Sequence, residues 1–250
     1  MTLAVNGEEA IQGRRAVDIP DYTQSSNPQD QFYATLYMGE APATAAHAMA
    51  PVGTRAEPQA YLVEQPPHAR VPPHFHDTDQ FQVFVSGQAQ FGKQTVSGCC
   101  LHYAGGHTPY GPIVTDERSA HYFTLRVAWD SGGKPMPESR DMLKRGQQCH
   151  RMAEVEATPG AAATNVLPGE PDGLGATLYT LEAGAQETLD LKVDGGGQYA
   201  LVLNGDITLN EAHLPRHSCV FRYPDEPPLS VTAGSDGATV LLMQFPIQGE

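Results

Sequence analysis

Two histidines set two apart, His74 and His76 in PPHFHDTDQFQVFVSG, are the residues of this sequence best spaced to do chemistry together. On an extended strand alternate side chains share a face, so both imidazoles would project the same way, their Cβ atoms roughly 7 Å apart. Two neutral imidazoles on one face can chelate a divalent transition metal. The same spacing also suits a pair of surface or turn histidines beside the rigid Pro72-Pro73 approach. Six of the ten histidines (His68, His74, His76, His102, His107 and His121) fall between positions 68 and 121. Asp77 and Asp79 flank Thr78 just after the pair, where carboxylates most often cap a turn through backbone N–H groups and more rarely serve as an acid or base. His150, His213 and His217 have no ligand spacing. No GxSxG elbow, phosphate-cradling loop, GxGxxG after a strand or HExxH helix occurs, so serine-hydrolase, nucleotide-dependent and zincin mechanisms have no support.

The elements that must position these residues are strands. Gly and Pro together, 25 + 21, make 46 of 250 residues, a density that argues against long helices, bundles and solenoids. FQVFV, QAQFG and HYFTLRV are alternating runs rich in β-branched and aromatic residues and bounded by turn formers. SRDMLKRG is expected to form one short helix closed by Gly146. The net charge of −14 repels phosphate backbones and anionic lipid, which speaks against nucleic-acid and membrane partners. No run of apolar residues is long enough to span a bilayer, and no signal core follows the start, so a soluble, cytoplasmic protein is expected. Cys99, Cys100, Cys149 and Cys219 lack CxxC spacing and read as structural thiols.

The chain repeats itself at a shift of 118 residues. YLVEQ (61–65) falls on YTLEA (179–183), QFQVFVSGQAQF (80–91) on QYALVLNGDITL (198–209), and HYFTLRV (121–127) on TVLLMQF (239–245). Identities are sparse, but the apolar pattern agrees throughout without a gap. Two copies of one β unit are expected: an N-terminal arm plus barrel over 1–135, an interdomain segment over 136–170, and a C-terminal barrel over 171–250.

The run from His74 to Gly87 resembles the first motif of the cupin superfamily, G-x5-H-x-H-x3,4-E-x6-G, with His68 at the leading Gly position and Gln80 at the Glu position. GGHTPYGP (105–112) is similar to the second motif and lays Tyr110 on its histidine ligand. The resemblance covers 61–127 and, through the repeat, 179–245. It implies an all-β chain of two cupin-type double-stranded β-helix (jelly-roll) barrels with few short helices. It also implies one divalent transition metal (Fe, Mn, Ni, Zn or Cu) held by His74, His76, Gln80 and either Tyr110, as phenolate, or His107. A usual cupin site has three histidines and one carboxylate; here the carboxylate position is a neutral amide. The shift carries His74 to Lys192, His76 to Asp194 and Tyr110 to Pro228, and only Gln198 persists, so the second barrel is expected to be degenerate. Phe84, Tyr103, His121 and Arg126 are the expected pocket residues, Arg126 facing either a carboxylate substrate or solvent.

Two functions follow as expectations. One is a metal-dependent enzyme of oxygenase or isomerase type acting on a small oxygenated substrate in the first barrel, with its catalytic residues unassigned. The other is a non-catalytic bicupin that binds or senses a small molecule. A homodimer formed through sheet edges is expected in either case.

Overall fold

The structure is a computed structural model that describes residues 2–17, 30–39, 57–130, 132–144, 148–191 and 194–247. Alternation of side chains drives more than half of the described residues into antiparallel strands. The longest shared element is Gln80–Phe91 in the first half and Gln198–Leu209 in the second, each of 12 residues, with burial patterns that differ at a single position. Helix is confined among the described residues to short pieces such as Gly7–Ala10, whose N-terminal amides at Glu8 and Glu9 donate to the Asn6 side chain at 2.9 and 3.2 Å. The expected helix at SRDMLKRG is a single 3₁₀ turn, Arg140–Met142; Gly146 lies outside the described residues. No helix of the described residues is long and apolar enough to cross a membrane.

Two compact units emerge. Gly13–Met152 forms one, and Ala153 onward joins residues up to Gln12 in the other. Expected at 135/136 and 170/171, the division falls at 12/13 and 152/153. The reason is pairing: Leu3–Val5 lies antiparallel on Phe221–Cys219, and Ala163–Leu167 forms an edge against Gly175–Leu181.

In the first unit one run of the strand order is Cys100–Ala104, Gln80–Phe91, Ala120–Arg126, Gln59–Gln65, Phe32–Met38. In the second it runs Cys219–Arg222, Gln198–Leu209, Leu229–Gln244, Gly175–Leu181, Ala163–Leu167. The 118-residue shift holds register by register: Phe81 pairs with Leu125 and with Tyr103, and Tyr199 pairs with Met243 and with Phe221. Even the bulge recurs, at His121/Tyr122 against Ser86 and Phe84 and at Thr239/Val240 against Asn204 and Val202. On the next strand the shift fails. Tyr61 pairs with Thr124, but Leu242, the counterpart of Thr124, pairs with Thr177. The equivalence of Tyr61 with Tyr179 is therefore corrected to Thr177, a shift of 116. A two-residue slip keeps every side chain on its face, which is why the sequence pattern did not expose it.

Both units are jelly rolls with buried interiors of different chemistry. Tyr179, Leu181, Leu189, Ala200, Val202, Val220, Val240 and Leu242 fill the second. The first has an apolar end around Phe84, Phe91, Tyr122 and Ile113 and a polar end around His74, His76, Gln80, His102 and Arg126, all buried. All four cysteines are free, Cys100 and Cys219 buried and the other two half-buried.

Candidate functional site

The polar end of the first barrel is assembled by register. His74 and Tyr110 form an isolated antiparallel bridge, exchanging N–H···O bonds of 3.1 and 3.0 Å. Residues directly opposite in such a bridge share a face, so Tyr110 joins the face that carries His74 and His76. The ring centroids lie 5.2 Å apart for His74 and His76, 4.5 Å for His74 and Tyr110, and 5.0 Å for Tyr110 and His102. Phe75 points to the opposite face, and His107 packs against it at 5.5 Å. His107, held in a left-handed backbone with φ of 57°, is thus placed behind the histidine pair, with its Nε2 3.6 Å from Asp77.

Each buried imidazole is anchored through Nδ1 to an acceptor. His74 Nδ1 donates to the Pro72 carbonyl at 2.8 Å, His76 Nδ1 to Asp130 Oδ1 at 2.6 Å, and His102 Nδ1 to Gln82 Oε1 at 3.0 Å. The Nε2 atoms therefore carry lone pairs, and that of His102 is buried with no hydrogen-bond partner. Burial holds all three neutral: it pushes His74 down to about 4, with Arg126 adding to it, and His76 to about 3, again with Arg126. His102 is pushed down to about 3 by burial and then by His150. Asp130 is a hub at the strand exit. Its Oδ2 accepts from Asp77 N at 3.0 Å and Thr78 N at 3.3 Å, and its Oδ1 also accepts from Gly132 N at 2.8 Å. Burial alone would raise this carboxyl, but the His76 bond and the Arg126 charge hold it well below the usual range.

Arg126 occupies the centre. It is fully buried, and its strand register sets it opposite Gln59, with Tyr61 two residues along on the same face. Nη1 donates to Gln59 Oε1 at 2.6 Å and to the Tyr61 hydroxyl at 3.0 Å; Nε and Nη2 donate to Gln80 Oε1 at 3.2 and 2.8 Å. Nη2 also lies 3.2 Å from His76 Nε2, the acceptor nitrogen of that ring. Gln80 in turn donates its amide N–H to the Tyr110 hydroxyl. Burial would lower the guanidinium, yet Tyr61 and Asp130 keep it raised and charged.

The other expected pocket residues are spread more widely. Phe84 lies at the apolar end, 6.1 Å from Phe91 and 5.0 Å from Tyr122 between centroids. Tyr103 is on the opposite face of its strand, against Phe81 at 5.1 Å, its hydroxyl donating to Asp79 at 3.0 Å. His121 stands opposite Glu64 and Ser86, and its electrostatic neighbours are Glu64 and Arg14. Arg126, with solvent as one expected outlook, faces other side chains instead. Asp77 and Asp79 act locally, Asp77 with Lys134 at 2.6 Å and Asp79 accepting from Gly106 N at 2.7 Å. Asp194 is exposed and outside any strand; Lys192 is outside the described residues. Sequence reasoning missed Asp130, Gln59, Tyr61 and Gln82. The signal for Gln59 and Tyr61 is Arg126 itself: an arginine inside a central strand needs acceptors on the neighbouring strand.

His74 and His76 are suitable donors for a divalent ion, because outer acceptors fix Nδ1 and leave Nε2. The remaining positions are unsuitable. Gln80 gives its oxygen to Arg126 and its N–H to Tyr110, and burial pushes the Tyr110 phenol up, so that without an ion it is a neutral hydroxyl. An ion bound at about 2.1 Å from His76 Nε2 would lie within about 5 Å of the guanidinium. Their repulsion is roughly 7 kcal/mol at an effective dielectric of about 20. Among the described residues no three His, Cys, Asp or Glu side chains are grouped so that they could hold an ion. The residues present do not fit a divalent metal.

No protein-family model and no curated protein matches the chain. In three dimensions it is similar to YhhW from Escherichia coli, with a TM-score of 0.61, 12% identity and 100% of both chains covered. The same bacterial pirin in complex with nickel(II) aligns at 0.59 and 12% identity, covering 99% of this chain and 100% of that one. A candidate dioxygenase from Nostoc punctiforme aligns at 0.57 and 11%, covering 100% of this chain and 84% of its own. At these identities the likeness establishes architecture, and the chain has an all-β jelly-roll fold.

Proposed function

We propose that the Gly13–Met152 barrel binds a small oxygen-bearing organic molecule at its polar end, through side-chain hydrogen bonds and without a resident metal ion. One observation carries the reading. At matched register positions the first barrel buries Gln82, His102, Tyr122, Thr124 and Arg126 where the second buries Ala200, Val220, Val240, Leu242 and Gln244. The second set shows that this sheet can be filled mostly with aliphatic side chains. Burying polar groups costs free energy unless each finds a partner, so a polar interior in one copy alone is explained by a ligand that uses it.

Two groups stand ready for that ligand. His102 Nε2 is an acceptor with no partner, and the Tyr110 hydroxyl, which accepts from Gln80, keeps its own proton to donate. The ligand therefore carries both an O–H and an oxygen acceptor, as a hydroxy acid, phenol or polyol does. Metal-dependent oxygenase or isomerase chemistry is the competing reading, and its support is the outward anchoring of His74 and His76. A homodimer in the cytoplasm is part of the proposal, its stoichiometry checked by analytical ultracentrifugation.

The test is a thermal-shift panel of small hydroxy acids, phenols and polyols on the full chain with and without EDTA, followed by calorimetry on the best binder. The expected result is one saturable site that survives EDTA, weakens about tenfold in Tyr110→Phe, and is unchanged in Gln198→Leu. Binding that disappears with EDTA and returns with nickel(II) would overturn the reading in favour of the metal-dependent one.

A further inference from the structure

We infer that Arg126 is the built-in cation of this barrel and stands in for the metal ion that the His-x-His arrangement would otherwise hold. This deepens the metal-free reading above and rests on it. The first support is position. Nη2 reaches Gln80 Oε1 at 2.8 Å and His76 Nε2 at 3.2 Å, so one cationic nitrogen joins two of the places that the resemblance assigns to ligands. The second is charge. A divalent ion with one carboxylate ligand and neutral histidines leaves a net charge of +1; the guanidinium with neutral Gln80, His74, His76 and Tyr110 also leaves +1. A carboxylate at position 80 and a guanidinium at position 126 would cancel each other, so the amide and the arginine belong together.

The third support is the second barrel. Its counterparts of Gln80 and Arg126 are Gln198 and Gln244, and the Gln198 amide donates to Gln244 Oε1 at 2.6 Å while Gln244 donates to the Gly173 carbonyl at 2.7 Å. The strand pair thus holds its side-chain bridge with no charge at all. The second barrel's buried Arg222, opposite Gln198 in register, donates to the Glu226 carbonyl, and the cation on the Gln244 strand position occurs in the barrel that also carries the histidine pair and Tyr110. Asp130 completes the assembly by holding His76 from behind at 2.6 Å, so that Nε2 faces the guanidinium.

The experiment loads nickel(II) onto the full-length wild type, Arg126→Gln, and Gln80→Glu/Arg126→Gln, then measures bound metal by elemental analysis and affinity by calorimetry. Near-ultraviolet circular dichroism checks folding. The inference expects less than about a tenth of an equivalent in wild type. It expects near one equivalent in the double variant, with affinity at least about a thousandfold higher and lost again on adding His76→Ala. Arg126→Gln alone, a residue the second barrel already tolerates at this place, should gain at least about tenfold over wild type. A double variant that folds and takes up no nickel, or, if it does not fold, an Arg126→Gln variant with no gain, overturns the inference while leaving the metal-free ligand site standing. One tight equivalent in wild type overturns both.

Discussion

The two barrels differ in the way they spend the same backbone. Gln80 and Gln198 occupy one register position, lie on strands that pair with the same two neighbours, and reach toward the same cross-strand residue. In the first barrel that residue is Arg126, bonded on to Gln59, Tyr61 and His76. In the second it is Gln244, bonded on to the Gly173 backbone carbonyl. The apolar frame is therefore sufficient to make the fold, and the polar end of the first barrel is an addition that the fold does not require.

Acid should separate the barrels most. Folded His74, His76 and His102 titrate near 4, 3 and 3, below the ordinary imidazole value of 6.5. Between those values the unfolded chain binds more protons than the folded one, so stability falls as pH drops from about 6.5 toward 4. Each imidazole withdraws about 1.4 kcal/mol per pH unit. Trp129, the single tryptophan, lies in the first unit, so its fluorescence in urea titrations at pH 7, 6 and 5 follows that barrel. A pH-independent midpoint would mean that the histidines are not buried neutral.

Next in size is Arg126→Met, which strips a charged donor from Gln59, Gln80 and Tyr61 and should cost about 3–5 kcal/mol in urea unfolding. If it costs no more than Gln244→Met, the contrast between the interiors collapses. A matched glycine pair tests their likeness instead. Gly87 and Gly205 both have positive φ, 84° and 67°, and a Cβ on either would overlap a carbonyl oxygen, of Ser119 and Gly237 respectively. Gly87→Ala and Gly205→Ala should each cost roughly 2–4 kcal/mol, and calorimetric values differing by more than that would show the turns to be unequal. The smallest effect belongs to Gln244→Leu, about 1–2 kcal/mol for the loss of one neutral side-chain bridge.

What could be read from residues alone was whatever repeats locally. The shared face of His74 and His76, the strand positions of Gln80 and Tyr110, and four strands of the repeat all follow from alternation and turn formers. Arg126 did not yield its role, because its acceptors come from strands about 45 to 65 positions away and no local pattern separates a buried arginine from a surface one. Asp130 lies four residues beyond Arg126 and returns to His76 across a turn, which periodicity does not report. Gln82 and His102 invert the usual rule that polar residues of a strand face out. The slip at Tyr61 was invisible for another reason: a period of two is unchanged by a shift of two.

The strand Leu3–Val5 pairs with residues that follow Val5 by 214 positions or more, beginning at Cys219. On a ribosome adding about 5–20 residues each second, this edge segment waits on the order of ten seconds or longer for its partner. The whole first barrel is synthesised in the interval. Its closure therefore proceeds while this apolar segment is still unpaired, and the second barrel receives an edge strand made before the first barrel. Removing residues 1–12 would leave the Cys219–Arg222 edge bare, a defect made on one side of the first barrel's sequence and expressed on the other.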